Sequence, residues 1–288
     1  MKDMLKDQIA IVTGGASGMG EATAKLYASE GAKVVIADFN PVKAQKVVDE
    51  ITAAGGVARF YQPMDVSKRE DVEAIAAKTA EEFGRIDILA AFAGKTFDGD
   101  PNLTQEQVLE KTTAVNQWGM YYSCFAVVPY MKKQKSGKIV ICSSNGAFNP
   151  TAPAYEYHMA KGACESLTVN LAMDLAKFGI RVNCVKPGPI VTAFWDELMD
   201  DGPERKAMLK GIADIEVPLG RTGVAEDIAG PALFLASDLS SYITGLCLYV
   251  AGGMGYVYAF GQSSIAHAGV GRTDLEYRQI PQEHKSGI

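Results

Sequence analysis

The sequence has no excess of basic residues. Its 28 lysines and arginines are outnumbered by 34 aspartates and glutamates, which gives a formal net charge of −6. A protein that binds the phosphate backbone of a nucleic acid needs a basic surface. Nucleic acid is therefore not an expected partner.

Cysteine and histidine are also scarce. The five cysteines are widely spaced and contain no C-x-x-C, and the three histidines (His158, His267 and His284) have no partner at the spacing of metal ligands. These patterns favour neither a disulfide framework nor a zinc site. We expect the thiols to be small buried side chains in a reducing cytoplasm, and we expect no metal.

Long hydrophobic runs are missing as well. The most apolar stretch, 246–261, is interrupted by Gly252, Gly253 and Gly255, and it is shorter than the roughly 20 residues that a membrane-spanning helix needs. The segment before the first glycines is too short and too acidic for a signal peptide. The sequence therefore predicts a cytoplasmic chain without a membrane partner.

What the sequence does contain is an alternation of strand-like and helix-like segments. Short apolar runs predict strands at 9–13, 34–38, 59–66, 86–94, 138–144, 180–188 and 246–250. Helical patterns between them predict helices at 19–30, 41–54, 68–83, 104–134, 154–178 and 225–236. This alternation predicts an α/β protein with a Rossmann-type, doubly wound parallel sheet.

Two segments are less regular. Residues 192–218 are rich in Trp, Phe, Met and acidic side chains, and we expect them to form a mobile flap. The chain from 252 to 288 shows weak periodicity. We therefore predict a single domain over 1–253, followed by a C-terminal extension over 254–288 that is not a separate domain.

A glycine-rich turn follows the first predicted strand. The segment TGGASGMG places Gly14, Gly18 and Gly20 between that strand and the first helix. Backbone N–H groups at such a turn can bind the pyrophosphate of a dinucleotide. The spacing departs from the commoner G-x-G-x-x-G, so a glycine-rich turn without a ligand is the alternative.

Asp38 indicates which dinucleotide would bind. It ends the second predicted strand, where its carboxylate can accept hydrogen bonds from the adenosine ribose hydroxyls and would repel a 2′-phosphate. Neither Phe39 and Asn40, which follow it, nor Ser17 in the glycine-rich turn supplies a cation. The sequence therefore favours NAD over NADP, and a solvated aspartate at a strand end is the alternative.

Tyr157 and Lys161 are candidates for acid–base chemistry. They are four residues apart in YHMAK, so their side chains project from one face of a predicted helix. The ammonium group is expected to lower the pKa of the phenol. Ser144 follows the fifth predicted strand, at the edge where open α/β sheets bind ligands. Because Y-x-x-x-K is common by chance, two helix-surface neighbours are the alternative.

Together, these motifs resemble those of the short-chain dehydrogenase/reductase family, in its compact, non-extended branch. The resemblance covers residues 5–253, and it rests on TGGASGMG, Asp38, Asp65, Asn116, Ser144, YHMAK and PGPIVT, which occur in the family's order and spacing. It implies that the chain transfers a hydride between a nicotinamide cofactor and an alcohol or ketone.

The resemblance also implies a catalytic tetrad. Tyr157 would be the general acid or base, and Ser144 would hydrogen-bond the substrate oxygen. Lys161 would hold the nicotinamide ribose, and Asn116 would hold a water molecule in a proton relay. The implied cofactor-binding residues are Gly14, Ser17, Gly18, Met19, Gly20, Asp38, Phe39, Asp65, Val66, Ala93, Gly94, Tyr157, Lys161, Pro187, Gly188, Ile190 and Thr192.

Three residues in two motifs depart from the family pattern. The family's N-N-A-G after the fourth strand is Ala91-Phe92-Ala93-Gly94 here, and the acidic residue before the closing Gly-Gly is Ala251. The side-chain amide bonds expected after the fourth strand are therefore missing. No catalytic side chain is lost.

The variable segments of the family determine the substrate. Here they are mostly apolar and aromatic, with no cluster of Arg or Lys to bind a carboxylate or phosphate. We predict an NAD-dependent interconversion of a bulky hydrophobic or aromatic secondary alcohol and its ketone. The expected substrate-binding residues are Ser144, Asn145, Tyr157, Phe194 and Trp195.

Two other functions stay open. One is a ketoreductase similar to 3-oxoacyl-[acyl-carrier-protein] reductase, for which Lys132, Lys133, Lys135 and Lys138 could form a docking surface, although Asp38 opposes NADP. The other is a catalytically inactive NAD-binding sensor or scaffold. The resemblance further implies a homotetramer built from the long central helices and the last helix and strand.

Overall fold

Seven parallel strands form one sheet in the order β3-β2-β1-β4-β5-β6-β7. Their bounds are β1 (Ile9–Thr13), β2 (Lys33–Ala37), β3 (Val57–Arg59), β4 (Ile88–Ala91), β5 (Gly137–Cys142), β6 (Ile180–Pro187) and β7 (Cys247–Val250). This computed structural model describes residues 3–97, 100–149, 154–197 and 199–255, and its main compact unit ends at Gly255. The predicted doubly wound α/β fold is confirmed.

Helices cover both faces of the sheet. They are α1 (Gly18–Ser29), α2 (Pro41–Ala53), α3 (Arg69–Phe83), α4 (Gln105–Thr113), α5 (Gly119–Gln134), α6 (Tyr155–Leu175), α7 (Pro203–Glu216) and α8 (Ala225–Ala236). One apolar core lies between the sheet and α1, α2 and α8, and the other lies between the sheet and α3, α5 and α6. Successive strand residues point to opposite cores, so the strands are apolar throughout.

The sequence predicts no membrane-spanning helix, and the length and hydrophobicity of the observed helices test this prediction. Within residues 3–97, 100–149, 154–197 and 199–255, none combines the length and the hydrophobicity that a bilayer crossing requires. Most of the predicted extension, from residue 256 onward, lies outside the described residues. The boundary that we predict at residue 253 stays a prediction.

The third strand is shorter and begins earlier than predicted. It covers Val57–Arg59, whereas the apolar pattern predicts 59–66. Pro63 has no N–H to donate to a strand ladder, and the N–H of Met64 instead donates to the carbonyl oxygen of Asp38 (2.9 Å). The chain therefore leaves the sheet after Arg59 and runs along the carboxyl edge.

The segment predicted as an irregular flap contains a helix. α7 begins with Pro203, whose fixed φ suits the first helical position. Its buried residues Arg205, Leu209 and Ala213 recur every fourth position, which places them on one face. The prediction for 192–218 is therefore wrong over 203–216.

The predicted helix 104–134 is also interrupted. Residues Ala114–Trp118, between α4 and α5, form a π-helical turn in which the N–H of Gly119 donates to the carbonyl oxygen of Ala114. A π-helical turn holds one residue more than the α-helical turn that it replaces. Asn116 lies in this turn.

The strand order reverses between β1 and β4. The chain moves from β1 through β2 to β3 on one side, and from β4 through β7 on the other. The two halves of the chain diverge at this point and leave a crevice at the carboxyl ends of the strands. The fold thus places a binding crevice directly after β1 and β4.

Candidate active site

A cleft of about 560 Å³ occupies this crevice. The predicted cofactor-binding residues that line it are Gly14, Ser17, Gly18, Met19, Gly20, Asp38, Phe39, Asp65, Val66, Ala93, Gly94 and Thr192. The other predicted cofactor-binding residues, Tyr157, Lys161, Pro187, Gly188 and Ile190, lie outside its lining. Residues that the sequence analysis missed also line it, among them Asn40, Lys43, Met64, Phe92, Lys95, Phe97, Val115, Ala193 and Asp196.

The glycine-rich turn is packed too tightly for side chains. A Cβ atom on Gly20 would lie 2.1 Å from the carbonyl oxygen of Gly14. A Cβ on Gly14, whose φ is +67°, would lie 2.8 Å from the backbone nitrogen of Ala93. Gly14, Gly18 and Gly20 therefore bring backbone without side chains, together with the N-terminus of α1, to the wall of the cleft. That is the arrangement that binds a pyrophosphate.

Replacing Gly20 with alanine is expected to lower the free energy of unfolding by about 3 kcal/mol, because the new methyl group overlaps backbone that cannot move away. It should also weaken NADH binding. Urea unfolding and fluorescence titration measure the two effects. Gly211→Ala is the matched control: among the described residues beyond its own helical turn, no atom lies within 4 Å of its added Cβ, so this substitution within α7 should not destabilise the protein. Equal stability of the two variants would contradict the argument.

Asp38 stands at one end of the cleft with a fixed orientation. Its carboxylate accepts hydrogen bonds from the N–H groups of Ala16 (3.1 Å) and Asn40 (3.0 Å), and the residue is 7% exposed. Lys43 lies nearby in the first turn of α2, where the side chain of Asn40 caps the helix. Asparagine is a preferred N-cap residue, so Asn40 in the sequence indicated where α2 begins and could have placed Lys43 at the same edge of the cleft as Asp38.

The cleft fits an extended dinucleotide. Gly14, Gly18 and Gly20 line the cleft with backbone that can approach a pyrophosphate closely, and the Asp38 carboxylate lines the same cleft as an acceptor for ribose hydroxyls. Thr192 closes the other wall, since a Cβ on Gly18 would lie 3.2 Å from its side chain. The residues present therefore suit a nicotinamide dinucleotide.

Three of the four predicted catalytic residues come together beside the cleft. Lys161 Nζ lies 5.6 Å from the ring centre of Tyr157 and donates to the carbonyl oxygen of Cys142 (2.9 Å). Ser144 is close enough to Tyr157 to favour its phenolate form, and the Ser144 Oγ accepts from the N–H of Gly146 (3.1 Å). Phe194 covers the Tyr157 ring at 5.6 Å between ring centres.

The electrostatics of Tyr157 differ from the sequence prediction. Burial raises the pKa of the phenol above its ordinary value, while the Lys161 ammonium and the nearby side chain of Ser144 act in the opposite direction. The predicted downward effect of Lys161 is present. The predicted net direction of the Tyr157 pKa shift is wrong, because the upward effect of burial outweighs the downward effect of Lys161.

Asn116 is fully buried within the π-helical turn. Its Nδ2 donates to the carbonyl oxygens of Lys95 (2.6 Å) and Thr112 (2.9 Å), and its Oδ1 accepts from the N–H of Lys95 (3.3 Å). A Cβ on Gly94 would lie 3.0 Å from this Oδ1 and 3.2 Å from Lys161 Nζ. The side chain therefore ties the loop after β4 to the helix, next to Lys161. Its role in a water relay stays a prediction.

The predicted substrate residues have different surroundings. Phe194 lines the cleft, while Trp195 donates from Nε1 to the carbonyl oxygen of Ile190 (2.8 Å). Asn145, which is 3% exposed, has an Oδ1 with no hydrogen-bond partner among the described residues. Arg205 on α7 donates to Asp196 (2.6 Å), next to Trp195 in the chain. α7 thus fixes the segment that carries Phe194.

Comparison with known proteins agrees with this geometry. A family model described as "Enoyl-(Acyl carrier protein) reductase", of the short-chain dehydrogenase/reductase family, matches residues 14–255. The crystal structure of gox2181 is 33% identical and covers 87% of this chain and 97% of its own, with a TM-score of 0.78.

Three curated relatives have similar levels of identity. The (2S)-[(R)-hydroxy(phenyl)methyl]succinyl-CoA dehydrogenase subunit BbsD of Thauera aromatica is 37% identical over 86% of this chain and 97% of its own. The 2,5-dichloro-2,5-cyclohexadiene-1,4-diol dehydrogenase LinX of Sphingobium indicum is 36% identical over 88% and 98%. The 3-oxoacyl-[acyl-carrier-protein] reductase FabG of Chlamydia pneumoniae is 37% identical over 85% and 96%.

These similarities extend over the whole folded unit, and the catalytic motifs lie together in the structure where the carboxyl ends of the strands meet. The chain belongs to the short-chain dehydrogenase/reductase family of oxidoreductases.

Proposed function

We propose that this protein is an NAD-dependent dehydrogenase that interconverts a bulky hydrophobic or aromatic secondary alcohol and its ketone. One observation carries the proposal. Tyr157, Ser144 and Lys161 lie together against Phe194 and Gly94, which line the same cleft as the Asp38 carboxylate.

The side chains have complementary tasks in this reaction. A bound nicotinamide cofactor accepts or supplies the hydride. Tyr157 takes the proton of the alcohol during oxidation and returns it during reduction. Ser144 Oγ donates to the substrate oxygen and stabilises negative charge there. Lys161, held by the carbonyl oxygen of Cys142, favours the phenolate form of Tyr157 and holds the ribose.

The preference for NAD rests on Asp38. Its two backbone hydrogen bonds aim a carboxylate at the rim of the cleft. A 2′-phosphate placed there would meet a like charge at short range, whereas ribose hydroxyls would find an acceptor.

The preference for a bulky apolar substrate rests on the apolar residues of the cleft. Phe97, Val115 and Phe194 line it, and Phe194 covers the Tyr157 ring. The names of BbsD and LinX describe dehydrogenases of a phenyl-bearing and a cyclic substrate. Lys95 also lines the cleft, so the assay should include alcohols with a carboxylate.

A ketoreductase acting on acyl-carrier-protein substrates is the second candidate. FabG of Chlamydia pneumoniae is as similar to this chain as BbsD is. Lys43 lies beside Asp38 and would favour the 2′-phosphate of NADP. Reduction of acetoacetyl-acyl-carrier protein with NADPH, faster than any oxidation of an alcohol with NAD, would support this candidate over the first.

The test is NADH formation from NAD, and NADPH formation from NADP, with a panel of secondary alcohols. The panel pairs aryl and cyclic alcohols with their carboxylate-bearing counterparts and with simple hydroxy acids. The proposal predicts turnover of the bulky alcohols with NAD. A clear preference for small hydroxy acids would refute the substrate class. Tight NADH binding without turnover of any substrate would favour the inactive sensor or scaffold.

We also propose that the chain assembles into a homotetramer, and that α5 forms one interface. Trp118, Tyr121 and Phe125 are 48%, 40% and 42% exposed, although their rings pack on one another and those of Tyr121 and Phe125 are 4.3 Å apart. Met173 on α6 is also exposed. Large apolar surfaces of this kind are typical of subunit contacts.

Phe125→Glu is expected to convert the tetramer into smaller species, because a carboxylate buried against aromatic rings is unfavourable. Size-exclusion chromatography with light scattering measures the mass of each species. Ile215→Glu, at an exposed apolar residue of α7, is the control and should leave the mass unchanged. A Phe125→Glu variant with the mass of the wild type would contradict the proposed interface.

A further inference from the structure

An ion pair between a buried lysine and a partly buried glutamate lies behind Ser144. Lys186, near the end of β6, has a side chain that is 3% exposed, and its Nζ lies 2.8 Å and 2.9 Å from the two carboxylate oxygens of Glu165 on α6. The ring centre of Tyr249 lies 4.1 Å from the same Nζ. Placing a lysine at the end of a buried parallel strand is costly, and such pairs contribute little net stability. Its position therefore calls for another explanation.

Ser143 connects this pair to the catalytic residues. Its Oγ donates to the carbonyl oxygen of Lys161 (2.9 Å) and lies 3.2 Å from Glu165 Oε1, which competes for the same proton, and its N–H donates to the carbonyl oxygen of Val185 (2.9 Å). Ser143 directly precedes Ser144. The ends of β5, β6 and α6 are thereby joined at one side chain, immediately behind the group that contacts the substrate oxygen.

The charge of Glu165 also matters to Lys161. The two residues are four positions apart on α6, so they lie on one face of the helix. A carboxylate without its own counter-ion at this spacing would compete for the catalytic ammonium. Lys186 satisfies both oxygens of Glu165. Lys161 Nζ is left to bond the carbonyl oxygen of Cys142, next to Tyr157.

We propose that Lys186 and Glu165 are positioning residues for the tetrad: the pair fixes Ser143, and hence Ser144, and keeps the Glu165 carboxylate from drawing Lys161 away from the cofactor ribose and Tyr157. This inference rests on the proposed function. It assigns a role to two side chains that touch neither substrate nor cofactor.

The test compares Lys186→Met, Glu165→Gln and the double variant with the wild type. Lys186→Met leaves the partly buried Glu165 carboxylate without its cation and free to attract Lys161, so we expect NADH to bind about tenfold more weakly and kcat to fall by at least as much. The double variant removes the unpaired charge and should recover NADH affinity to within about threefold of the wild type. Fluorescence titration with NADH, and with NADPH in parallel, gives the affinities.

Two controls separate positioning from general damage. Thermal unfolding and circular dichroism establish that each variant is folded. Lys210→Met removes an exposed ion pair with Asp214 on α7, and it should change neither affinity nor kcat. A purely structural role of Lys186 predicts a loss of thermal stability in Lys186→Met while the molecules that stay folded bind NADH as the wild type does.

The outcomes are distinct. Weaker cofactor binding in Lys186→Met with recovery in the double variant supports the inference, and it does so even if no alcohol in the panel is turned over, since binding is measured without catalysis. Wild-type affinity and kcat in Lys186→Met, or no recovery in the double variant, overturns it. Failure of the proposed function would instead appear as an inactive wild type in the alcohol assay.

Discussion

Tyr157→Phe is expected to lower kcat for alcohol oxidation by roughly 10²- to 10⁴-fold, the usual contribution of a general acid or base. The substitution removes only the phenolic oxygen, and the ring can still pack against Phe194. NADH affinity should therefore stay near that of the wild type. Steady-state kinetics with NAD and the best alcohol of the panel, together with fluorescence titration, measure both effects.

The pH dependence provides an independent check of the same residue. Burial raises the pKa of the Tyr157 phenol, so at neutral pH it is mostly protonated and its basic form increases as the pH rises. The rate of oxidation should rise with pH in the wild type, and the rise should vanish in Tyr157→Phe. Lys161→Met should move the rise to higher pH, because the ammonium favours the phenolate. A pH profile that is the same in all three proteins would exclude Tyr157 as the base.

Asp38→Asn is expected to change the ratio of kcat/KM for NAD to that for NADP by about 100-fold in favour of NADP. Like charges at short range cost several kcal/mol, and each 1.4 kcal/mol is worth about a factor of ten. The amide keeps the shape of the side chain and removes the repulsion. Lys43, which lines the same end of the cleft, then becomes an attractive partner for the 2′-phosphate.

Two further variants make this result specific. Lys43→Ala in the Asp38→Asn background should remove part of the gain with NADP. Asp49→Asn, on the exposed surface of α2, removes a negative charge away from the cleft and should leave the ratio unchanged. A ratio that does not change in Asp38→Asn would show that the carboxylate does not discriminate between the two cofactors.

Much of the fold was predictable because its signals are local and repeated. Buried parallel strands require continuous apolar runs, and β1 matches its predicted bounds at 9–13. The prediction failed at β3, where the aromatic and apolar residues after Arg59 resemble a strand. Those side chains pack beside the sheet while the backbone bonds back to Asp38, which is a tertiary interaction that periodicity does not record.

The site was predictable to the extent that it consists of short motifs. Each of these motifs can be recognised from a few consecutive residues: the glycine-rich turn, Asp38 at a strand end, and the Tyr157–Lys161 pair. Lys43 and Lys95 were missed because their contribution depends on which elements meet around the cleft. The net pKa direction of Tyr157 was missed for the same reason, since burial by distant segments is invisible in the pattern Y-x-x-x-K.

The π-helical turn at Ala114–Trp118 sets the angle between the buried side chain of Asn116 and the exposed aromatic residues of α5. One additional residue rotates everything that follows by about 100° relative to an uninterrupted α-helix. Asn116 faces the loop after β4, and the aromatic residues of α5 face outward, only because the turn sets the angle between them. Deleting a single residue here would restore a regular helix. The Asn116 amide would then no longer face the loop after β4, and the aromatic rings of α5 would no longer face outward. The one additional residue therefore constrains both the position of the loop after β4 and the direction in which the exposed aromatic residues of α5 can contact another subunit.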